Sequence, residues 1–259
     1  MYEAVYIAAT GIKQQQTRMD TIANNIANVN SAAYKSERVD FKDALYTAGY
    51  IPGLPRTPEP DGNQQKGHGV MIAGITKDYR TGSLQTTERQ LDVAIEGEGF
   101  FELEDIDGNL VYSRNGAFAM GQFEDRYYLT NSDGYFVHDA NGERIQFPEG
   151  TGSIAIANDG RITFVYGEEE AYASLGIYTF GNLTGLLSVG SGNYAESEAS
   201  GEKIAVNDVK LWQGMLEMSN VSLSEEMTRI IRTQRVFQLA SRALRTADDM
   251  EGIANNLRK

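Results

Sequence analysis

The first 30 residues place apolar side chains at alternating steps of three and four, which is the spacing of a heptad repeat. A seam with this period predicts an α-helix that packs along its length against another helix. One position near the centre of the seam is polar, so the apolar stripe is interrupted once. The seam consists of Val5, Ala8, Ile12, Gln15, Met19, Ile22, Ile26 and Val29.

The last 50 residues carry two such seams on one predicted helix. Together the seams span about 160° of the helix circumference near residues 236–247, wider than the stripe of about 100° on an ordinary surface helix. Such a helix needs more than one neighbour. At about 75 Å for about 50 residues, it is also too long to lie on the core of a domain of this size. One seam is Leu223, Ile230, Phe237 and Leu244; the other is Val236, Ala243, Met250 and Leu257, with Ala240, Ala247 and Ala254 between them.

The middle of the chain, residues 76–206, has a different pattern. Turn dipeptides recur there, and short alternating or aromatic-rich runs lie between them, which is typical of β-hairpins. The middle is therefore predicted to be β-rich. The dipeptides are Asp107-Gly108, Asn115-Gly116, Asp133-Gly134, Asn141-Gly142 and Asp159-Gly160, and the runs include Leu110–Ser113, Tyr135–His138 and Arg161–Tyr166.

These patterns predict an α+β fold. Residues 1–33 and 207–259 form N- and C-terminal helices with heptad seams, and residues 76–206 form a central all-β domain. Residues 34–75 form an extended connector between the two. Within the connector, residues 47–66 should form little regular structure alone, because four of the five prolines (Pro52, Pro55, Pro58 and Pro60) cluster there.

The acidic charge of the chain falls in the predicted β domain. Residues 76–206 hold 22 acidic and 8 basic residues, whereas both ends are close to neutral. This segregation predicts ends that pack against protein and a middle that faces solvent. The overall charge of −13 also excludes nucleic acid as the expected partner, because phosphate binding needs a basic surface.

Other classes are excluded by composition. The absence of cysteine excludes disulfides, thiolate metal sites and a cysteine nucleophile. No apolar run is long enough for a membrane-spanning helix, so no membrane insertion is expected. The start of the chain has neither a basic nor a continuous apolar region, and therefore no cleaved signal peptide is predicted.

The sequence predicts no catalytic residue, no metal and no cofactor. Residues 105–109 resemble the start of a calcium loop, but the glycine and glutamate that an EF-hand requires are replaced by Leu110 and Gly116, which favours a β-turn. His68 and His138 lie in unrelated segments without metal-binding spacing. No G-x-S-x-G motif supports a serine nucleophile.

Three segments resemble the signatures of the flagellar basal-body rod and hook protein family. The run MDTIANNIANVNSAAYKSERVDF (19–41) resembles the N-terminal signature and LDVAIEGEGFF (91–101) the central one, while residues 219–257 resemble the C-terminal one. Within the family, the start IAATG and the insert between Tyr46 and Gly69 are similar to the distal rod member. The chain lacks that member's glycine- and proline-rich stretch before the last helix, and its ending TADDMEGIANNL also resembles the proximal rod member.

The resemblance implies that the N- and C-terminal helices of residues 1–33 and 207–259 pair as a coiled coil. It also implies a structural subunit that polymerises helically into the hollow drive shaft between motor and hook. Its implied partners are further copies of itself, the other rod proteins, the hook protein, the flagellar export apparatus and, as an open case, surrounding ring proteins. The implied location is the basal body, reached by type III export across the inner membrane without a cleaved signal peptide. The ends are expected to gain order on assembly, when neighbours cover their apolar faces.

A repeated motif marks both predicted helices. Ile22-Ala-Asn-Asn-Ile26 near the start is echoed by Ile253-Ala-Asn-Asn-Leu257 at the end, and asparagine in a seam can fix the register of packing. Asparagine on a solvated helix face is the plainer explanation of either copy alone. Together, the seams and the motifs predict an assembly interface of Ile12, Met19, Ile22, Asn24, Asn25, Ile26, Asn28, Val29, Phe237, Ala240, Leu244, Ala247, Met250, Ile253, Asn255, Asn256 and Leu257.

An alternative from a different class stays open on the sequence alone. Residues 76–206 could be a binding or hydrolytic β-domain carried on a coiled-coil stalk. That function predicts a ligand pocket and an isolated middle fragment that keeps its activity, whereas a shaft subunit predicts an inert fragment.

Overall fold

A computed structural model describes residues 2–44, 46–48, 65–148, 150–166, 169–206 and 209–256. It has the predicted α+β architecture, with a helix at each end and a β-rich region between them. The chain divides into two compact units. We call residues 1–27, 37–77 and 222–259 the helical unit, and residues 28–36 and 78–221 the β unit.

The helical unit combines two long helices with four strands. Helix α1 packs against helix α2 and against strands β1 and β4, which pair with each other in antiparallel register. Strands β2 and β3 form a second antiparallel pair. The elements are α1 (Tyr2–Ala27), β1 (Glu37–Asp43), β2 (Tyr46–Ala48), β3 (Gln65–Gly67), β4 (Val70–Lys77) and α2 (Leu223–Asn256).

A side-chain amide fixes the end of α1 to strand β1. Asn25 is fully buried, and its Nδ2 donates to the carbonyl oxygen of Glu37 at 2.8 Å while its Oδ1 accepts from the Glu37 N–H at 2.9 Å. The amide therefore satisfies both backbone groups of one residue, as a neighbouring strand would. The Arg18 guanidinium lies 5.6 Å from the centre of the Phe41 ring and adds a second link between α1 and β1.

The β unit contains 17 strands and a short 3-10 turn at Leu183–Gly185. Every strand pair among its described residues is antiparallel. The strands are β5 (Leu84–Thr86), β6 (Val93–Glu96), β7 (Phe100–Glu104), β8 (Leu110–Ser113), β9 (Ala119–Phe123), β10 (Arg126–Thr130), β11 (Phe136–Val137), β12 (Gln146–Phe147), β13 (Ser153–Ile156), β14 (Arg161–Tyr166), β15 (Glu169–Ser174), β16 (Ile177–Phe180), β17 (Leu187–Gly190), β18 (Asn193–Ala195), β19 (Lys203–Ala205), β20 (Lys210–Gln213) and β21 (Met215–Glu217).

A ten-stranded sheet dominates the β unit. Its main path runs β12-β10-β11-β7-β8-β18-β17, and β9, β16 and β19 pair beside that path. Strands β13, β14 and β15 form a smaller sheet, while β20 pairs with β6 and β21 with β5. The core lies between these sheets and is apolar, with Val93, Ile95, Phe101, Leu103 and Leu211 wholly buried.

The turn dipeptides predict the hairpins well, with one exception. The Asp107-Gly108 pair joins strands β7 and β8, with Gly108 at φ +85°, a conformation that glycine adopts without a Cβ clash. Residues 105–109 are accordingly a turn, as predicted, closed by Asp105 and Asn109. Asn115-Gly116 is not a hairpin turn, because β8 and β9 are not paired. A Cβ on Gly116 would lie 1.8 Å from the Val93 carbonyl oxygen, so glycine there permits a close backbone approach.

The units differ from the predicted boundaries in two places. Helix α2 has 34 residues and begins at Leu223, because residues 210–217 are strands that pair with β6 and β5 and bury Leu211. A continuous helix of about 50 residues is therefore wrong. Parts of the predicted connector form β1 and β4, whose alternating side chains cover α1 on one side. The proline cluster at residues 52–60 lies outside the described residues.

Candidate assembly interface

Helix α1 buries the predicted heptad seam. Within the helix every seam position from Val5 to Ile26 is half-buried or buried, and Ile22 is the deepest at 4% exposure. A second face, about 100° round the helix from the seam, is exposed and repeats with the same three-four spacing. We call this face the outer stripe of α1. It consists of Tyr6, Ala9, Lys13, Gln16, Asp20, Ala23 and Ala27.

Helix α2 has one seam that is covered and another that is not. The covered positions are half-buried or buried and repeat with heptad spacing; we call them the inner seam, which is Glu226, Ile230, Thr233, Phe237, Ala240, Leu244 and Ala247. The exposed apolar positions follow the same spacing, interrupted by Thr246. We call them the outer seam, which is Val236, Leu239, Ala243, Met250 and Ile253.

The outer seam is exposed to a degree that is unusual for large apolar side chains. Leu239 is 62% exposed, Ile253 61%, Met250 54% and Val236 45%. Single exposed apolar residues are common on protein surfaces, but a regular row of them along one helix marks a contact surface. Of the first predicted seam, Ile230, Phe237 and Leu244 are half-buried and Leu223 is exposed, whereas the described members of the second seam, Val236, Ala243 and Met250, are all exposed.

Three buried polar residues in or beside the seams, Thr21, Thr233 and Glu226, hydrogen-bond within their own helices. The hydroxyl of Thr21 donates to the Thr17 carbonyl oxygen, and that of Thr233 to the Arg229 carbonyl oxygen. Glu226 is 2% exposed, and its Oε1 accepts from Nη1 of Arg229 at 2.6 Å. A cavity of about 210 Å³ lies beside Glu226 and is also lined by Arg18, Thr21, Ile22, Glu37, Arg38, Val39 and Arg229.

The predicted interface residues fall into separate groups. Eight lie on the covered faces of the two helices: Ile12, Met19, Ile22, Ile26, Phe237, Ala240, Leu244 and Ala247. Four are exposed on the helices: Asn24, Met250, Ile253 and Asn256. Asn25 is buried on Glu37, while Asn28 and Val29 are half-buried in the β unit after the end of α1. The Asn255 side chain and Leu257 lie outside what the structure describes.

The two asparagines of the α1 motif lie in different surroundings within the subunit. Asn25 is used within the subunit to hold β1, and its neighbour Asn24 is on an exposed face. Sequence reasoning also left Leu239 out of the interface, although its spacing from Val236 and Ala243 continues the three-four alternation. That spacing was the signal that could have identified it.

The β unit carries its own buried polar cluster, centred on His138. Both ring nitrogens face carboxylates, Nδ1 at 3.1 Å from Glu102 Oε1 and Nε2 at 2.8 Å from Glu104 Oε2. Because a carboxylate only accepts hydrogen bonds, both nitrogens must carry a proton, and the imidazole is charged. The hydrogen bond to Glu102 raises the pKa of His138, and that to Glu104 adds to the rise despite burial.

Two cations complete the His138 cluster. Arg144 donates from Nε to Glu104 at 2.7 Å and lowers the pKa of that carboxyl to about 2. Lys203 donates to Glu102 and lies 4.6 Å from the centre of the Tyr178 ring. Burial raises the pKa of Glu102, but the bonds from His138 and Lys203 outweigh it, so the net shift is downward. With His138 charged, the cluster has three positive side chains on two carboxylates, and each carboxylate bonds to at least two of them.

The described residues hold no group of three or more metal-ligating side chains placed to bind an ion. In the same part of the chain, no helix is long and apolar enough to cross a membrane. The outer seam of α2 and the outer stripe of α1 are candidate surfaces for protein contact, because each exposes side chains at heptad spacing along a helix.

Three family models match the chain in the order of its segments. The model described as "Flagella basal body rod protein" matches residues 5–35. The "Flagellar hook protein FlgE/F/G D1 domain" model matches residues 94–164, and the model "Flagellar basal body rod FlgEFG protein C-terminal" matches residues 213–257. The matches include α1, the centre of the β unit and α2.

Curated relatives match along the whole chain. The flagellar basal-body rod protein FlgG of Borreliella burgdorferi is 38% identical over 272 residues, with 100% of both chains covered. FlgG of Bacillus subtilis is 36% identical over 270 residues with the same coverage. The flagellar hook-basal body complex protein FlhP of Bacillus subtilis is 29% identical over 274 residues, again with 100% of both chains covered.

Proposed function

Since the chain belongs to the flagellar basal-body rod protein family, we propose that it builds the rod through contacts between the helical units of neighbouring copies. Its role is structural: it is a subunit of the basal-body rod, as its full-length relatives are. The observation that carries the assembly proposal is the outer seam of α2, a heptad row of exposed apolar side chains beside a covered one.

The outer seam has more apolar surface than a single subunit covers. Burying a Leu, Ile or Met side chain fully contributes about 1.5–3 kcal/mol, so a partner along the seam gains several such contributions. Within one subunit we propose that α1 and α2 pair as a coiled coil through their covered seams. Because both helices belong to one unit and pack together, this pairing needs no neighbouring copy.

The outer stripe of α1 is the surface that fits the outer seam. It has small side chains at Ala9, Ala23 and Ala27, at the heptad spacing that large side chains of a second helix need. A contact between two unlike surfaces is heterologous, so each copy leaves one free surface for the next, and the chain of copies stays open when the rotation between them does not close a ring. Growth by such contacts gives a helical polymer, the form expected of a shaft.

The proposed interface between copies consists of the exposed members of the prediction. We assign Asn24, Met250, Ile253 and Asn256 to it, and add Val236 and Leu239. The heptad spacing also extends it to Asn255 and Leu257 as proposals. The eight residues on the covered faces are assigned to the pairing of α1 with α2.

Other features of the rod proposal follow from the family resemblance. We propose the distal rod as the position of the subunit, because its start and its insert resemble that member. Its proposed partners are copies of itself, other rod proteins, the hook protein and the export apparatus, with ring proteins as an open case. The proposed export is type III, without a cleaved signal peptide, and the proposed work is transmission of torque from motor to hook.

The comparisons give no support to a binding or hydrolytic β-domain on a stalk, because relatives that span the whole chain are basal-body proteins. Deleting the gene and viewing purified basal bodies by electron microscopy tests the rod function. We expect truncated rods without hooks, and restoration by the parent gene. Complete rods and normal swimming in the deletion strain would overturn the proposal.

A further inference from the structure

Glu217 is a buried carboxylate that holds together three distant parts of the β unit. Its Oε1 accepts from Nζ of Lys35 at 2.6 Å and from the N–H of Gly82 at 2.8 Å, while its Oε2 accepts from Nε of Arg114 at 2.8 Å. The side chains of Lys35 and Glu217 are each 1% exposed. The bond to Lys35 spans 182 positions of sequence.

The partners of Glu217 lie in the segments that connect the two units. The chain enters or leaves the β unit after Ala27, Ser36, Lys77 and Val221. Lys35 lies one residue before the crossing at Ser36. Its Nζ also donates at 2.8 Å to the carbonyl oxygen of Arg80, three residues after the crossing at Lys77. The fourth crossing follows Glu217 within four residues, so a single carboxylate connects all three segments.

Asn220 makes a second set of bonds between the same segments. Its Oδ1 accepts from the Ser36 N–H at 2.8 Å, and its Nδ2 donates to the Asp78 carbonyl oxygen at 2.7 Å. The backbones also approach closely: a Cβ on Gly82 would lie 2.0 Å from the carbonyl oxygen of Met218. We call Lys35, Gly82, Arg114, Glu217 and Asn220 the Glu217 joint.

Arg114 fixes the joint to the large sheet. Its Nη1 donates to the carbonyl oxygen of Gly99 at 3.0 Å and its Nη2 to that of Gly97 at 2.8 Å, next to strand β7. Burial raises the pKa of Glu217, but Arg114 and Lys35 outweigh it, so the carboxylate is ionised. A buried ion pair adds little net stability over well-packed apolar residues. Separating the two charges is strongly unfavourable, however, so such a pair resists being pulled apart.

We propose that the Glu217 joint carries mechanical force between the connecting segments of the β unit and its large sheet. It bonds the connecting segments to one another and to the sheet, so that force arriving along one segment is shared by all three instead of peeling that segment away. The inference rests on the proposed function, because a subunit that transmits torque carries load through its connections.

Single-molecule pulling on the full chain tests the joint. The chain has no cysteine, so pairs of introduced cysteines give unique attachment points. One pair, Asn30→Cys with Ser222→Cys, pulls across the joint at exposed positions; the other, Asp107→Cys with Asp159→Cys, pulls the same β unit between two exposed turns. For Glu217→Gln under constant load, we expect unfolding across the joint at least about tenfold faster than in the parent. Between the turns we expect a clearly smaller factor.

Glu102→Gln is the matched control, because it also neutralises a buried carboxylate of the β unit but lies outside the joint. It should not act selectively across the joint. If Glu217→Gln does not fold, as judged by near-ultraviolet circular dichroism, Asn220→Ala makes the same comparison with fewer bonds lost. Equal acceleration by the folded joint variant for both pulling pairs, or none across the joint, would overturn the proposal. Those results would leave the rod function intact, which the deletion strain tests separately.

Discussion

In the β unit, the side chains of Val93, Ile95, Phe101 and Leu103 have no exposed surface, whereas more than half of Leu239 and Ile253 on α2 is exposed. The exposed apolar residues of the β unit are spread over turns and several strands, and the pair Leu187 and Val189 shares one face of edge strand β17. The helical unit has a half-buried seam and an uncovered one. This difference supports the proposal that neighbouring copies complete the helical unit, whereas the large apolar core of the β unit is buried within one subunit.

The distribution of charge also separates the two units. The acidic residues are concentrated in the part of the chain that forms most of the β unit, whereas the two terminal helices are close to neutral. Neutral helices can approach one another closely, and a charged domain stays solvated. We therefore expect substitutions on the exposed faces of the helical unit to affect assembly, and substitutions in the core of the β unit to affect folding stability. Variants in each unit test this separation.

The largest effect is expected from charge on the outer seam. Leu239→Lys combined with Met250→Lys should abolish rod assembly, because two charges would be buried at each contact between copies. Thermal unfolding of the monomer should stay within about 0.5 kcal/mol of the parent, since both positions are exposed. Electron microscopy of basal bodies measures assembly, an export assay checks that the variant is still exported, and thermal unfolding of the purified monomer measures its stability.

The control for the outer seam is Leu187→Lys, an aliphatic side chain of similar exposure on edge strand β17 of the β unit. It should assemble normally. If the double variant also assembles, the outer seam is not the contact between copies.

A core substitution in the β unit should have the opposite outcome. Phe118 is wholly buried and meets the Phe101 ring edge to face at 5.1 Å, so Phe118→Ala should lower the free energy of unfolding by about 3–5 kcal/mol. The single tryptophan, Trp212, lies on β20 and reports unfolding of this unit alone. Phe237→Ala on the half-buried inner seam should leave that fluorescence transition unchanged. A shift of the Trp212 transition by both variants would show that the units do not unfold separately.

A smaller effect should distinguish the two asparagines of α1. Asn25→Ala leaves the N–H and carbonyl of Glu37 without their partner and should cost the helical unit about 1–3 kcal/mol. Asn24→Ala changes an exposed helix position and should be within about 0.5 kcal/mol of the parent. Urea unfolding followed by the helical circular dichroism signal measures both. Equal losses would mean that the link to β1 is not what Asn25 supplies.

The smallest effect is a pH dependence confined to the β unit. The pKa of His138 is higher folded than unfolded, so its contribution is complete below about pH 6.5 and is lost as pH rises through the folded pKa. His138→Gln should remove this decline from the Trp212 transition and leave the helical signal unaffected. An unchanged pH slope in His138→Gln would place the titration elsewhere.

Much of the local structure follows from the sequence. The seam from Val5 to Ile26 gives the covered face of α1, and the runs Leu110–Ser113 and Arg161–Tyr166 are strands with those bounds. The second seam of α2 also predicts that a partner is needed. These features are readable because helix and strand periods are short-range and repeat within a few residues.

The roles of the buried polar residues were decided only by the tertiary structure. Nothing near Lys35 in the sequence indicates Glu217, and nothing near His138 indicates Glu102 and Glu104. The same holds for the start of α2 at Leu223, since residues 210–217 become strands by pairing with β5 and β6. Periodicity specifies which faces are apolar, but a buried charge needs a partner that long-range folding brings to it, and packing decides which of two apolar seams is covered.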